Sequence, residues 1–447
     1  MIFVDKETKI DYTIIVSLET KKKGRNFRME KKTIESKDFL LMLIGQIISL
    51  FGNQILRFAL PLYLLQKTGS SVLFGTITAC SFIPMIILFP IGGIIADRVN
   101  KRNIMVILDF STSAIILCFS IMAKVFYIVP LIAATMMILF AIQGAYQPAV
   151  KASISILVDK EHLMQANSIV DMISSFANML GPVIGGLLFS FIGLTPILYI
   201  SIACFFVSAV MEIFINIPFE KKQRNENLFV TGLRDMEGSF RFVFKKKPVL
   251  WKISITYEMV SMLLCSLFVI ALPVLITQNM GFSERMANRL YGYAQGVIAA
   301  GSIAGGLLAG ILSKKLKAKT IPYLIIGCAL SILTSGLALQ LFQSSMAIYV
   351  VLVAGCSLLM VLSTLFQIQM MSYVQILTPN ELIGKVIACV ICVCMCSNPI
   401  GQFLYGFVFE HIGDNYYLPF YAASFIVIGI GVITRDLFCK IDYVMEQ

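Results

Sequence analysis

Three charged side chains interrupt long apolar stretches of this sequence, at Arg57, Asp109 and Glu258, while Asp171 and Glu212 lie nearer the ends of such stretches. A charge within an apolar membrane segment costs free energy, so it points to proton relay or ligand binding. Glu258 is our first choice for a carboxylate that exchanges protons. The alternative is that Glu258 lies close enough to the membrane interface to be solvated.

Arg57 and Asp109 each allow a specific role. Arg57 can bind an anionic group, pair with an acid from the other half of the molecule, or stabilise an outer gate. We expect Asp109 to join the basic residues Arg98, Lys101 and Arg102, which lie close to it along the chain. These four residues would form one charge cluster at a single membrane face.

Uncharged polar side chains also lie within the apolar stretches, among them Gln46, Asn53 and Gln143. Such groups line a central cavity or form hydrogen bonds between helices. A pocket for a large amphipathic molecule combines several of them with aromatic and methionine side chains. We therefore treat these three residues as candidates for substrate or proton binding.

The sequence lacks the residue patterns expected for a metal site or for ATP hydrolysis. Cys389, Cys392, Cys394 and Cys396 spread around one predicted helix with no histidine among them, so we expect packing rather than a metal site. A Gly-Lys-Ser/Thr phosphate loop is missing, which argues against ATP hydrolysis. We expect neither enzyme activity nor a bound cofactor.

The composition requires a bilayer as the solvent for most of the chain. Of 447 residues, 58% are hydrophobic and 14% charged, and the mean hydropathy is +0.86. Soluble domains have about 45–50% apolar and about 25% charged residues. A spanning helix needs about 20 mostly apolar residues. Twelve runs meet this requirement, near 39–66, 71–96, 104–123, 127–149, 168–190, 194–217, 250–278, 287–312, 320–342, 346–376, 382–408 and 415–437.

The net charge of +11 follows from basic residues that lie between the apolar runs, mostly on one predicted side. This asymmetry predicts that both termini are cytoplasmic and gives no reason to expect a nucleic-acid partner. The predicted parts are a basic tail (1–37), a six-helix bundle (38–217), a cytoplasmic linker (218–249), a second six-helix bundle (250–438) and a short tail (439–447). Within the linker, apolar residues from Phe229 to Val243 recur every three or four positions, which predicts an amphipathic helix. Because Met29 is typical of a natural start, residues 1–28 are either a disordered tail or an extension.

The two predicted bundles resemble each other in sequence. Gly92-Gly93 in the second run has a counterpart in Gly305-Gly306 of the eighth, and a basic loop follows each pair. Pro182 and Pro399 occupy similar places in the fifth and eleventh runs. The repeats predict an all-α protein of two pseudosymmetric bundles, an architecture associated with alternating access.

The loop after the second run resembles the best-known motif of the major facilitator superfamily. It has Gly93, then Asp97-Arg98, then Lys101-Arg102. The resemblance implies that this segment, with Asp109, forms a cytoplasmic gate. Gly93 would permit close helix approach, Asp97 would accept hydrogen bonds at a helix N-terminus, and Arg98 would pair with an acid across the bundles.

The fifth run is similar to a glycine–proline motif of the antiporters in that superfamily. Gly181, Pro182, Gly185 and Gly186 would let the helix bend and pack tightly. A structural kink without meaning for transport direction is the alternative.

The segment from Pro148 to Asn167 is similar to the drug and macrolide exporters of the superfamily. The resemblance implies a monomeric plasma-membrane antiporter that exports hydrophobic or amphipathic small molecules, such as macrolides, with the proton gradient as its energy source. One alternative is an exporter of an endogenous siderophore, lipid or peptide-like compound. The other is a receptor or assembly factor that transports nothing.

Overall fold

A computed structural model describes residues 34–159, 162–218, 248–312, 317–378 and 383–439. Within these ranges the chain is all-α, with twelve long helices and no strand, which confirms the predicted fold class. Eleven helices are long and apolar enough to cross a membrane, and the twelfth is Ile383–His411. The predicted linker helix and the tail up to residue 33 lie outside the described residues.

The first six helices form one bundle. They are α1 (Lys37–Thr68), α2 (Ser71–Arg98), α3 (Lys101–Met122), α4 (Ile128–Leu157), α5 (Leu163–Ile192) and α6 (Leu194–Ile213). Side-chain caps fix several of their starts, as where Ser36 accepts a hydrogen bond from the Phe39 amide. Gly69, whose φ of 66° suits glycine, ends α1 and lets the chain reverse into α2.

The second bundle also has six helices. They are α7 (Pro248–Val274), α8 (Glu284–Leu312), α9 (Ile321–Leu341), α10 (Ser345–Leu377), α11 (Ile383–His411) and α12 (Leu418–Ile433). A π-helical turn, Leu275–Asn279, extends α7, and a 3₁₀ turn, Ala318–Thr320, precedes α9. The helices α5 and α8, and likewise α2 and α11, pack against each other across the two bundles.

The helix α4 is longer than the sequence predicts. The predicted run ends at 149, where Pro148 and Lys151 interrupt the apolar stretch, but the helix continues through Pro148 to Leu157. Its last two turns still bury Ser153 and Ile154 against other parts of the protein. Tertiary packing therefore outweighs the local interruption of the apolar run.

The internal repeat is visible in the packing of paired helices. A Cβ atom added to Gly92 would lie 2.7 Å from the Cα of Ala145, so α2 and α4 approach closely there. A Cβ atom at Gly305 would lie 2.6 Å from the carbonyl oxygen of Val361, which brings α8 onto α10 in the same way. The close approach expected of Gly93 is therefore made by Gly92, because an added Cβ at Gly93 meets no atom within 4 Å.

Candidate functional site

The two ends of the bundles differ in charge. We call one end the basic end, because it carries Arg98, Lys101, Arg102, Lys151 and Lys317 at or beside the ends of their helices. The opposite end carries the α1–α2, α7–α8 and α11–α12 connections.

A cavity of about 290 Å³ lies between the bundles, in the half nearer the basic end. One lining residue comes from α2 and the others from α7, α10 and α11. Aromatic, aliphatic and methionine side chains dominate, with a few polar groups among them, as in pockets for amphipathic ligands. The lining residues are Phe82, Ile253, Ser254, Tyr257, Gln367, Met370, Met371, Val374, Val390 and Asn398.

Glu258 is buried in the second bundle beside this cavity, although it is not itself one of the lining residues. It is 4% exposed and follows Tyr257, which lines the cavity. The hydroxyl of Ser397 on α11 donates a hydrogen bond to its carboxyl oxygen Oε2, and the next residue, Asn398, also lines the cavity. The sequence left open whether Glu258 is buried in the bundle or solvated near the membrane interface, and in the structure it is buried.

Arg57 is half-buried in the first bundle, against α4. Its Nη1 donates a hydrogen bond of 2.9 Å to Oε1 of Gln143, and its guanidinium lies 4.1 Å from the centre of the Phe140 ring. Among the described side chains its contacts are thus an amide and a ring, and not a carboxylate of the other bundle. Binding an anionic group and stabilising the outer gate remain predictions.

A second, smaller cavity of about 30 Å³ lies inside the first bundle. Asn53, Gln143, Tyr146 and Asp109 are among its lining residues. Gln46 lies on the same face of α1 as Asn53 and is 1% exposed.

The structure separates Asp109 from the basic residues with which the sequence grouped it. Its side chain is 3% exposed and interacts with Ser208 on α6 and, electrostatically, with Glu212. Arg102 instead donates to the carbonyl oxygen of Ile215 at 3.5 Å. The prediction that Asp109 belongs to the charge cluster is wrong, because its position on α3 directs it into the bundle interior.

At the basic end, the α2–α3 turn is short and capped. Asn100 accepts a hydrogen bond of 3.0 Å from the Arg102 amide, and its own amide reaches the carbonyl oxygen of Ile217 at 3.5 Å. Arg98 is exposed and Lys101 opens α3. Asp97 lies in the last turn of α2, and its side chain is outside the described part of the structure, as are those of Cys389, Cys392 and Cys394. The gate role of the motif stays a prediction.

The glycines of α5 form close contacts on two sides. Gly181 faces the Gln54 side chain of α1, and Gly185 faces Phe58 of the same helix. Gly186 faces the second bundle, since a Cβ atom there would lie 2.7 Å from the Cα of Gly292 on α8. The motif around Pro182 thus lies where α5 packs on both α1 and α8.

At the opposite end, hydrogen bonds join the bundles. Oε2 of Glu410, at the end of α11, accepts bonds from the Ser70 hydroxyl at 3.1 Å, the Ser71 hydroxyl at 3.0 Å and the Val72 amide at 3.1 Å. Gln66 donates to Asn288 across the bundles at 2.6 Å. The opposite end is therefore closed.

A second set of bonds closes the same end between α5 and α8. The Ser190 hydroxyl donates to the carbonyl oxygen of Arg285 at 2.8 Å and accepts from Nε of Arg289 at 3.3 Å. Glu410 was not predicted as a functional residue from the sequence, and Glu212 was given no specific role. The only sequence signal for Glu410 is the pair Ser70-Ser71 at a helix start, which offers donors to a carboxylate without identifying it.

Known proteins resemble this chain over nearly its whole length, at low sequence identity. A family model described as Major Facilitator Superfamily matches residues 42–401. Macrolide efflux protein A of Streptococcus pyogenes is 26% identical over 413 residues, which cover 91% of this chain and 97% of that protein. Multidrug efflux pump Tap of Mycolicibacterium fortuitum is 20% identical over 401 residues, covering 88% of this chain and 94% of the pump.

Solved structures share the fold at lower identity. A bacterial homologue of the iron transporter ferroportin, in an inward-facing state, superimposes with a TM-score of 0.65 and 15% identity, covering 90% of this chain and 97% of that one. A nucleoside transporter superimposes with a TM-score of 0.66 and 14% identity, covering 90% and 98%. With the family match over residues 42–401 and this shared fold, the chain belongs to the Major Facilitator Superfamily of membrane transporters.

Proposed function

We propose that this transporter exports hydrophobic or amphipathic small molecules, with macrolides as the leading class, in exchange for protons. The observation that carries the proposal is the apolar, methionine-containing cavity between the bundles, with the buried carboxyl group of Glu258 next along α7 to the lining residue Tyr257. The similarity to macrolide efflux protein A over 91% of the chain supports the substrate class.

The proposal includes an orientation in the plasma membrane. Basic loops stay cytoplasmic during membrane insertion, so the basic end faces the cytoplasm and the closed, opposite end faces outward. A substrate would enter the cavity from the cytoplasmic side and leave when the bundles rock about it. Both termini are then cytoplasmic, and the chain acts as a monomer.

Coupling follows from the position of Glu258 beside the cavity. The Ser397 hydroxyl donates to this carboxylate, and the neighbouring residues of both lie at the cavity surface. A proton that arrives at Glu258 removes a buried charge beside the apolar lining, and a substrate that fills the cavity alters the solvation of the same group. Proton and substrate would thus bind in competition, which links their opposite movements.

Accumulation of a macrolide or a fluorescent dye in exporter-deficient bacterial cells tests this function. Cells that express the chain should accumulate less of the compound than empty cells, and a protonophore should abolish the difference. The variant Glu258→Gln should raise accumulation to the level of empty cells at normal expression. Glu284→Gln is the matched control, because that carboxylate is exposed in the first turn of α8 and should leave export unchanged.

The outcomes separate the alternatives. If cells with and without the chain accumulate every macrolide and dye equally, an endogenous substrate such as a siderophore, lipid or peptide-like compound becomes the better hypothesis. If the difference persists in the presence of the protonophore, proton coupling is wrong.

A further inference from the structure

Two carboxyl groups and a phenol meet inside the first bundle, away from the cavity that Glu258 borders. Asp109 on α3 is 3% exposed and Glu212 on α6 is fully buried. The hydroxyl of Tyr146 on α4 donates a hydrogen bond of 2.7 Å to Oε1 of Glu212. The charge of Asp109 acts on both of the other groups, so the three form one electrostatic unit.

This unit has polar atoms that lack a partner among the described residues. They include one oxygen of each carboxyl group, Oδ2 of Asp109 and Oε2 of Glu212, and both side-chain polar atoms of Gln46 on α1. A buried polar atom without a hydrogen bond costs about 1–3 kcal/mol. Asp109 also lines the small cavity of about 30 Å³, a volume that holds little more than a water molecule. The unpartnered carboxyl oxygen of Asp109 thus belongs to a residue that borders space for a very small ligand.

The charges around the unit do not balance. The helices packed about it are α1, α3, α4 and α6. Their other charged side chains lie at or near the helix ends, and they are Lys37, Asp38, Lys67, Lys101, Arg102 and Lys151. The ionisable groups in the bundle interior beside the unit are Asp109, Tyr146, Glu212 and Arg57. Arg57 reaches the small cavity only through Gln143, to which its guanidinium is bonded. Two buried carboxylates without a cation are strongly unfavourable, so the unit needs a positive ligand.

We infer that Asp109, Glu212 and Tyr146 form a proton-binding centre in the first bundle, distinct from Glu258 in the second. A proton bound by one of the two acids converts its carboxylate into a neutral carboxylic acid, which removes one of two like charges buried in the same bundle. On release, the O–H bond breaks, the proton passes to water and a carboxylate remains. No other reactant is required.

The place of the centre gives its proposed role, which rests on the proton-coupled function above. Glu212 is the penultimate residue of α6, and Asp109 lies eight positions after Lys101, the first residue of α3. Both helices have these ends at the basic end. The centre is thus placed to release a proton toward the cytoplasm, whereas Glu258 exchanges its proton at the central cavity.

Infrared difference spectroscopy of the purified full chain in lipid nanodiscs tests the centre without any substrate. The sample is titrated from acid to alkaline pH, and the loss of the carbonyl stretch of protonated carboxylic acids is recorded. We expect Asp109→Asn and Glu212→Gln each to remove a component of this band that Glu258→Gln retains. Tyr146→Phe should shift the frequency of that component, because it removes the hydrogen bond to Glu212.

Two results would overturn the inference. One is a band whose titrating amplitude is the same in the wild type and in both variants. The other is a band that disappears on addition of Na⁺ at constant pH, which would assign the cavity to a sodium ion. Asp109→Glu, which keeps a carboxyl group, should preserve the titrating component, and a thermal melt of each variant identifies any that misfold.

The spectroscopic result and the export assay can fail separately. A titrating component at Asp109 and Glu212 in a chain that exports nothing would retain the centre and remove the proposed function. Protonophore-sensitive export by a chain without the component would retain the function and remove the centre.

Discussion

Replacing Glu410 by alanine is expected to favour opening of the end opposite the basic loops. The carboxylate closes α11 of the second bundle onto the start of α2 in the first, through Ser70, Ser71 and the Val72 amide. An outward-open state requires these two helix ends to separate. In the closed state the alanine variant loses the acceptor of all three groups, although the Ser71 hydroxyl, which shares its proton with the Gly406 carbonyl oxygen at 3.0 Å, keeps that second partner. In the open state Glu410 has none of these bonds to lose.

The size of the effect follows from the exposure of these bonds. Glu410 is exposed, so each interaction contributes toward the lower part of the range of about 0.2–1 kcal/mol found for exposed charged pairs. The three bonds together then stabilise the closed state by about 0.5–1.5 kcal/mol, which is a factor of about 2–13 in the equilibrium between the two states. A shift of this size is large enough to change the populations measurably.

Electron–electron distance measurement between spin labels can detect the shift. The labels replace Lys67 and Asp414, which are exposed at the opposite end, one in each bundle, in a chain whose native cysteines have been replaced. Glu410→Ala should increase the population at long distances, and Glu284→Ala, which removes an exposed charge at the same end, should not. Equal distance distributions in Glu410→Ala and in the unaltered background would refute the role of Glu410 in closing this end.

Two other substitutions probe packing, one between the two bundles and one within the first bundle. Gly186→Ala places a methyl group 2.7 Å from the Cα of Gly292, so we expect a destabilisation of about 1–3 kcal/mol and a lower Tm. Gly310→Ala is the control and should leave Tm unchanged, because an added Cβ there meets no atom within 4 Å. Equal melting temperatures of the two variants would contradict the close approach. Arg57→Lys keeps the charge but loses the planar guanidinium, which donates to Gln143 at 2.9 Å and stacks on the Phe140 ring. We therefore expect weaker export of all substrates and a lower Tm. Full export by this variant would show that the charge alone is sufficient.

The helices were predictable from the sequence because the bilayer imposes a physical length on each of them. A run of about 20 apolar residues has few alternatives to a spanning helix, and the bounds differ mainly where polar residues extend a helix beyond the apolar layer. α4 is the clearest example, since it continues to Leu157 past Pro148. The paired glycines also identified the repeat, although Gly92 and not Gly93 makes the close approach.

The candidate site was less predictable, because side-chain partners depend on how helices rotate about their axes. Asp109 lies only two turns from Lys101 and was grouped with it, yet its position on α3 directs it toward Glu212 on a helix about 100 residues away. Glu410 has the sequence context of a solvated helix end, and its partners lie more than 330 positions earlier in the chain. No local pattern encodes such pairings.

Transport by the purified chain in proteoliposomes tests proton-coupled export most directly. A radiolabelled macrolide is added outside vesicles whose lumen is acidic relative to the bath, and uptake is followed with and without a protonophore. Proton exchange predicts that the macrolide accumulates against its own gradient while the lumen is acidic, and that the protonophore or Glu258→Gln abolishes the accumulation. Accumulation that is unaffected by the pH gradient would contradict proton-coupled export.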